Sequence, residues 1–134
     1  MKIVLDTNVL VSGLLQPFGP SGQIVRRVAT GELVLCHDPR IMAEYQEVLT
    51  REKFRFDPER IEALLDQIRA DGILVVARPL AVRLPDPDDE PFLEIALAGA
   101  VQYLVTGNGK HYPVEARQGT EVVSPREFIE LSRG

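Results

Sequence analysis

The sequence predicts an α/β sandwich in which a mostly parallel central sheet carries helices on both faces. Short apolar runs at 2–5, 33–36, 73–76, 103–106 and 122–123 have the length of buried strands. The longer segments between them repeat apolar residues every three or four positions, the period of a helix with one inward face. Strands separated by helical segments need crossover connections, which is the condition for parallel pairing. At 134 residues and 45% hydrophobic content the chain can bury a core, and one domain over 1–134 is expected.

The first strand, 2–5, ends at Asp6 and leads into a short apolar helix over 8–15, which Gln16-Pro17-Phe18-Gly19-Pro20 terminates. A helix from Pro20 or Ser21 runs to Thr30, with Ile24, Val25 and Val28 inward, Arg26 and Arg27 outward, and Gly31 as its stop. The run 33–36 is the second strand. Asp38 as N-cap and Pro39 at the first helical position open a helix to about Arg51, lined on one face by Ile41, Tyr45, Val48 and Leu49. Asp57-Pro58 repeats that signature for a helix to about Asp71, with Ile61, Leu64, Leu65 and Ile68 apolar and Gly72 following. Residues 73–76 form the third strand. A proline-punctuated loop from Pro79 to Pro87 then delivers Asp86, Asp88 and Asp89 to the start of a helix whose apolar residues include Phe92, Leu93, Ile95, Ala96 and Ala100. After the strands at 103–106 and 122–123, Ser124-Pro125-Arg126-Glu127 reads as a capping box opening the last helix.

Composition excludes several classes. The net charge of −5 argues against broad affinity for nucleic acid, which draws on clustered Lys and Arg. A carboxylate cluster that binds cations is compatible with it, because bound ions reverse the local field. Basic residues occur in three small groups: Arg26 with Arg27; Arg51, Lys53 and Arg55; and Lys110 with His111. The single cysteine, Cys36, has no internal disulfide partner and lies in an apolar run, as expected of a core thiol in a reducing cytoplasm. No signal-peptide pattern and no apolar stretch of membrane-spanning length is visible, so a soluble, cytoplasmic protein without a membrane partner is expected.

The chemistry concentrates in acidic positions. Asp6 stands at the carboxyl end of the first strand, the mouth of the ligand crevice in parallel α/β sheets. Glu44 falls on or beside the inward stripe of its helix, three residues after Ile41 and four before Val48, where a carboxylate needs a reason; Glu47 reads as solvated. The others are the Asp86, Asp88 and Asp89 cluster and the Thr106-Gly107-Asn108 step after a strand end. Taken singly, Asp6 has the role of closing a strand into a turn, Asp88 of capping a helix, and Glu44 of pairing with an arginine. Taken together they form a candidate divalent-metal site, and hard oxygen donors without a Cys and His set favour Mg2+ or Mn2+ over zinc. Such ions activate water and stabilise the attacking and leaving oxygens of a phosphodiester.

Competing motifs are weak. Gly19 and Gly22 do not form a phosphate loop, and Ser12 and Ser21 lack nearby His and Asp partners. His37 reads as a loop histidine. His111, beside Lys110, is a candidate contact for substrate phosphate.

Several ordered segments resemble one family across nearly the whole chain. They are Val4-Leu5-Asp6-Thr7-Asn8-Val9-Leu10, Glu44-Tyr45-Gln46-Glu47-Val48-Leu49-Thr50-Arg51 with Lys53-Phe54, Asp86-Pro87-Asp88-Asp89 with Phe92-Leu93-Glu94-Ile95-Ala96, and Val105-Thr106-Gly107. Together they resemble the PIN-domain nucleases, and most of all the VapC-like toxins of toxin–antitoxin pairs. The resemblance implies a PIN-like sandwich and a Mg2+- or Mn2+-dependent ribonuclease whose partners are RNA and a small antitoxin, with a homodimer as a candidate assembly. It matches Asp6, Glu44 and Asp89 to the three acids that hold the metal and carry catalysis. Asn8, Thr106, Asn108, Asp86 and Asp88 fall to supporting or loop positions, and Lys110, His111 and Arg51 are candidate RNA contacts. At Asn108 many members carry a fourth aspartate. Asparagine keeps a carbonyl oxygen but loses a charge worth up to ~4 kcal/mol per unit metal charge at 4 Å and an effective dielectric of 20, so one or two ions remain open. Two other readings stand beside this one: a PIN-like module that binds RNA or protein without cutting, and a phosphatase on a doubly wound sheet.

Overall fold

The computed structural model describes residues 1–133. Five strands, β1 (Lys2–Leu5), β2 (Val34–His37), β3 (Ile73–Leu74), β4 (Tyr103–Val105) and β5 (Val122–Val123), form one sheet in the order β3-β2-β1-β4-β5. Every neighbouring pair is parallel, so the sheet is wholly rather than mostly parallel. Strand order moves outward from β1 through β2 to β3, then restarts on the other side of β1 with β4. The switch point lies between β1 and β4, with Ile3 opposite Tyr103 and Leu5 opposite Val105.

Among the described residues there are six α-helices: α1 (Thr7–Leu15), α2 (Pro20–Ala29), α3 (Pro39–Leu49), α4 (Pro58–Asp71), α5 (Glu90–Ala98) and α6 (Pro125–Leu131). Right-handed crossovers put helices before and after the reversal on opposite faces. Accordingly α2 packs with α4, which leans on β2, while the crossover helix α5 covers β1, β2 and β4; α6, which follows the last strand and connects no two strands, packs on α2 and β4. Ile3, Val4, Leu5, Leu35, Leu104 and Val105 are fully buried between these layers. Two glycines allow α1 and α2 to meet closely. A Cβ at Gly13 would lie 2.5 Å from Val25 Cγ2, and one at Gly22 would lie 2.1 Å from the Pro17 carbonyl oxygen.

Local signals place most element ends. Asp38 accepts from the Ile41 N–H at 3.0 Å, Gly31 takes the left-handed conformation after α2, and both halves of the Ser124 and Glu127 capping box form. Three expectations need correction. The second strand is shifted by one residue, because the Leu33 N–H turns back to the Arg27 carbonyl while His37 still pairs with Leu74. His37 is therefore a buried strand residue rather than a loop histidine, and neither ring nitrogen has a hydrogen-bond partner among the described residues. The third strand has two paired residues, not four, and lies at the sheet edge. Ile73 and Leu74 are 41% and 66% exposed, and after the Val75 N–H reaches the His37 carbonyl the chain leaves the sheet. An apolar run at an edge has only one neighbour to bury it.

Candidate active site

Asp6 is fixed first, by the sheet. Its N–H donates to the Val105 carbonyl at 3.0 Å, which extends the β1 and β4 pairing by one residue and sets Asp6 beside Thr106. The Thr106 hydroxyl donates to Asp6 Oδ2 at 2.8 Å, and the Tyr112 hydroxyl reaches the same oxygen at 3.1 Å. Tyr112 arrives through a 3-10 turn, Gly109–His111, held from outside by Arg117. The Arg117 Nε donates to the Tyr112 carbonyl at 2.6 Å and its Nη2 to the Gly109 carbonyl at 3.3 Å. Asp6 is also the N-cap of α1, yet its side chain makes no capping hydrogen bond, and its Oδ2 is left to the two hydroxyls.

Glu44 is brought in by α3, which crosses the carboxyl end of β1. The buried Tyr45 hydroxyl donates to the Leu5 carbonyl at 2.5 Å and locks that crossing. Glu44, the preceding residue, then accepts from the Thr7 hydroxyl. Asp89 ends the 3-10 turn Pro87–Asp89 at the start of α5, with its Oδ2 3.0 Å from His111 Nδ1. Asp86 caps that turn by accepting from the Asp88 N–H at 2.9 Å, and Asp88 itself is exposed.

The Asp6 charge acts on both other carboxylates. Burial pushes the Asp6 pKa up against the opposing pull of Thr106 and Tyr112. Burial also raises Glu44, with Thr7 opposing and the charge of Asp6 adding to the rise. Asp89 is pushed up to about 6 by burial, then by Asp6 and Asp86, with His111 working the other way. Among the described residues no Lys or Arg makes an ion pair with any of the three. A raised carboxylate pKa caused by burial and by other carboxylates marks a site short of positive charge.

That donor set suits a hard divalent cation, since all the donors are oxygen and their shared need is a counter-charge. No three His, Cys, Asp or Glu side chains among the described residues converge tightly enough to enclose an ion by themselves. Mg2+ commonly keeps several waters and takes one or two carboxylates directly, so a loose set of acids remains compatible with it.

The remaining sequence candidates separate. Asn8 Oδ1 accepts from the Gly107 N–H at 3.1 Å and ties the start of α1 to the loop after β4. Asn108 donates its backbone N–H to the Thr106 hydroxyl at 3.0 Å, and its side chain is exposed beside the site. Lys110 is exposed next to His111. Arg51 grips Glu47 at 3.1 and 2.8 Å, and Glu47 first, then Glu44, hold its pKa up. Thr7, Tyr112 and Arg117 were not singled out as site residues from the sequence. The only signals were the adjacency of Thr7 to Asp6 and an aromatic residue within a polar turn after a strand.

The PIN domain family profile matches residues 2–110, which include every carboxylate of the site. The chain is also similar to an uncharacterized protein of Methanocaldococcus jannaschii, at 25% identity over 142 residues that cover 97% of this chain and 90% of that protein. With the family profile spanning β1 through β4, and the acids it encloses gathered at the sheet's switch point, the chain belongs to the PIN domain family.

Proposed function

We propose that the chain is a Mg2+- or Mn2+-dependent endoribonuclease, the toxin of a toxin–antitoxin pair, with Asp6, Glu44 and Asp89 as metal ligands. PIN domains are typically nucleases that use divalent ions and bind RNA, which gives the reaction class. One observation carries the assignment of the site. Among the described residues, Asp6 has no Lys or Arg partner, whereas the other three buried carboxylates, Asp38, Glu90 and Glu94, each pair with an arginine. A bound divalent ion supplies an activated water and stabilises charge on the phosphodiester.

The chain's own groups orient that chemistry. Thr106 and Tyr112 fix one oxygen of Asp6, Thr7 fixes Glu44, and His111 holds Asp89. Lys110 and Arg51 offer positive charge to the RNA backbone. Where an antitoxin covers the site, an arginine or lysine from it supplies the missing counter-charge, so its binding competes with manganese.

The test is cleavage of single-stranded RNA by the purified chain with Mn2+ and with EDTA, beside Asp6→Asn. Expected is Mn2+-dependent cutting that EDTA stops and Asp6→Asn lowers at least about tenfold. Equal cutting by parent and variant would sink the assignment. Co-purification from the native operon, followed by manganese titration of the complex, tests the antitoxin. The reading as a binding module draws support from Asn108, which leaves the site one carboxylate fewer; it predicts RNA binding that Mn2+ does not alter.

A further inference from the structure

Beyond the C-terminal end of α3 the chain makes a 3-10 turn, Glu52–Phe54, inside the stretch Arg51-Glu52-Lys53-Phe54-Arg55-Phe56. Arg55 adopts a left-handed conformation, φ 54°, uncommon for a residue with a side chain. Rings two positions apart on an extended chain lie on one face, roughly 6–7 Å apart. With the left-handed Arg55 between them, Phe54 and Phe56 stack, with centroids 5.5 Å apart and ring planes within 14° of parallel. Phe56 packs against the core, whereas Phe54 belongs neither to the core nor to the residues packed on it. Phe54 is thus a partly exposed ring resting on an anchored one. The exposed Lys53 holds its ammonium 5.1 Å from the Phe54 centroid.

Charge and position add to this. Arg51 is paired with Glu47, which leaves Lys53 and Arg55 against Glu52, one net positive charge beside the rings on a chain of net charge −5. The stretch directly follows the helix that carries Glu44. Arg51 is seven positions after Glu44, about 11 Å along a helix axis, and the Glu44 charge still acts on its guanidinium.

We infer that Phe54, stacked on Phe56 and flanked by Lys53 and Arg55, is a base-stacking platform for single-stranded RNA, seating a nucleotide a short distance along the strand from the acidic site. The inference rests on the ribonuclease reading for its ligand. A π-face with cations beside it accepts any base while the cations take the phosphates. Lys53 turns from the ring to the backbone as the base enters. Phe54 is then a positioning residue: it holds the strand and leaves the chemistry to the carboxylates.

The experiment measures binding of a fluorescein-labelled 12-nucleotide single-stranded RNA to the Asp6→Asn chain carrying Phe54→Ala, Phe54→Leu or Phe54→Trp, and cleavage by the same Phe54 variants with Asp6 intact. Loss of one stacked base weakens binding by about 5- to 150-fold, so Phe54→Ala and Phe54→Leu should both fall in that range. Phe54→Trp should bind as the parent does, with its fluorescence quenched by RNA. In cleavage, KM should rise with kcat little changed. Recovery by Phe54→Leu, which keeps apolar volume and loses the π-face, shows a packing role and overturns the inference, as does unchanged binding by Phe54→Ala. The two readings fail separately: Phe54-dependent binding without cleavage keeps the platform and removes the nuclease, cleavage indifferent to Phe54 does the reverse, and neither binding nor cleavage removes both.

Discussion

Glu94 and Asp6 are carboxylates at nearly the same depth, 8% and 5% exposed. Glu94 meets the Arg40 guanidinium at 2.7 Å and the Leu80 N–H at 3.1 Å, and Glu90 meets Arg83 and the Leu84 N–H, both at 3.0 Å. Asp6 receives two hydroxyls and faces Glu44 and Asp89 instead of a cation. A buried charge costs several kcal/mol unless an opposite charge and hydrogen bonds offset it. The Glu90 and Glu94 pairs are complete in the protein alone and hold the 79–90 segment on α5. The Asp6 group is incomplete, so the missing counter-charge, rather than burial, separates a site from a structural pair.

The widest divergence should come from neutralising each side. Asp6→Asn is expected to lower RNA cleavage at least about tenfold while the metal-free melting temperature holds or rises, because asparagine still accepts from Thr106 and Tyr112 without a buried charge. Glu94→Gln should do the opposite, losing about 1–3 kcal/mol of stability with cleavage changed only a few-fold. An Asp6→Asn chain that melts as early as Glu94→Gln would erase the distinction.

Manganese should then stabilise only where the acids remain. At a hundredfold excess over its Kd it adds about 2.7 kcal/mol to the parent. That corresponds to roughly 10 °C for a chain of this size, read by thermal melting. Glu94→Gln should keep this gain and Asp89→Asn should lose most of it. A gain that survives in Asp89→Asn places the ion elsewhere.

The pH dependence has a defined sign. Asp89 titrates near 6 in the fold against an ordinary 3.8, so between those values the folded chain binds the extra proton. Metal-free stability from Asp89 is present at low pH and lost as pH rises through about 4 to 6, on the order of 2 kcal/mol. His37 runs the other way: burial first, then Arg69, lowers its pKa, so its contribution is lost as pH falls below about 6.5. Denaturant titration of parent against Asp89→Asn isolates the first effect, and a difference that does not narrow toward pH 4 contradicts it.

The smallest effects belong to the groups that orient Asp6. Tyr112→Phe and Thr106→Val each remove one hydroxyl donor, worth about 0.5–1.5 kcal/mol, so calorimetry should show manganese affinity falling a few-fold. Asn108→Asp should tighten manganese by a similar factor if its exposed side chain turns to the site. No change in that variant leaves the site with three acids.

Much of this was legible in short stretches of chain. Asp38-Pro39, Asp57-Pro58 and Ser124-Pro125 mark helix starts because a cap needs only residues two or three positions away. The inward Glu44 could be read from helical spacing. Tyr112 could not, because its tie to Asp6 spans 106 residues and depends on a turn that Arg117 holds from a further loop. The third strand was overread for a similar reason: four apolar residues favour a strand, but whether it lies at a sheet's centre or edge depends on strand order.

Asp38 and Asp57 each precede a Pro that opens a helix, and the sequence by itself determined that helices begin there; Asp6 also stands one residue before a helix, α1, whose start the sequence put one residue later. Only the tertiary structure decided that Asp38 and Asp57 cap their helices while the Asp6 carboxylate turns to Thr106 and Tyr112. The physical reason is range. A cap is a contact along a few residues of chain, whereas the charge balance around a buried carboxylate is set by strands, helices and turns that meet only after the sheet has formed.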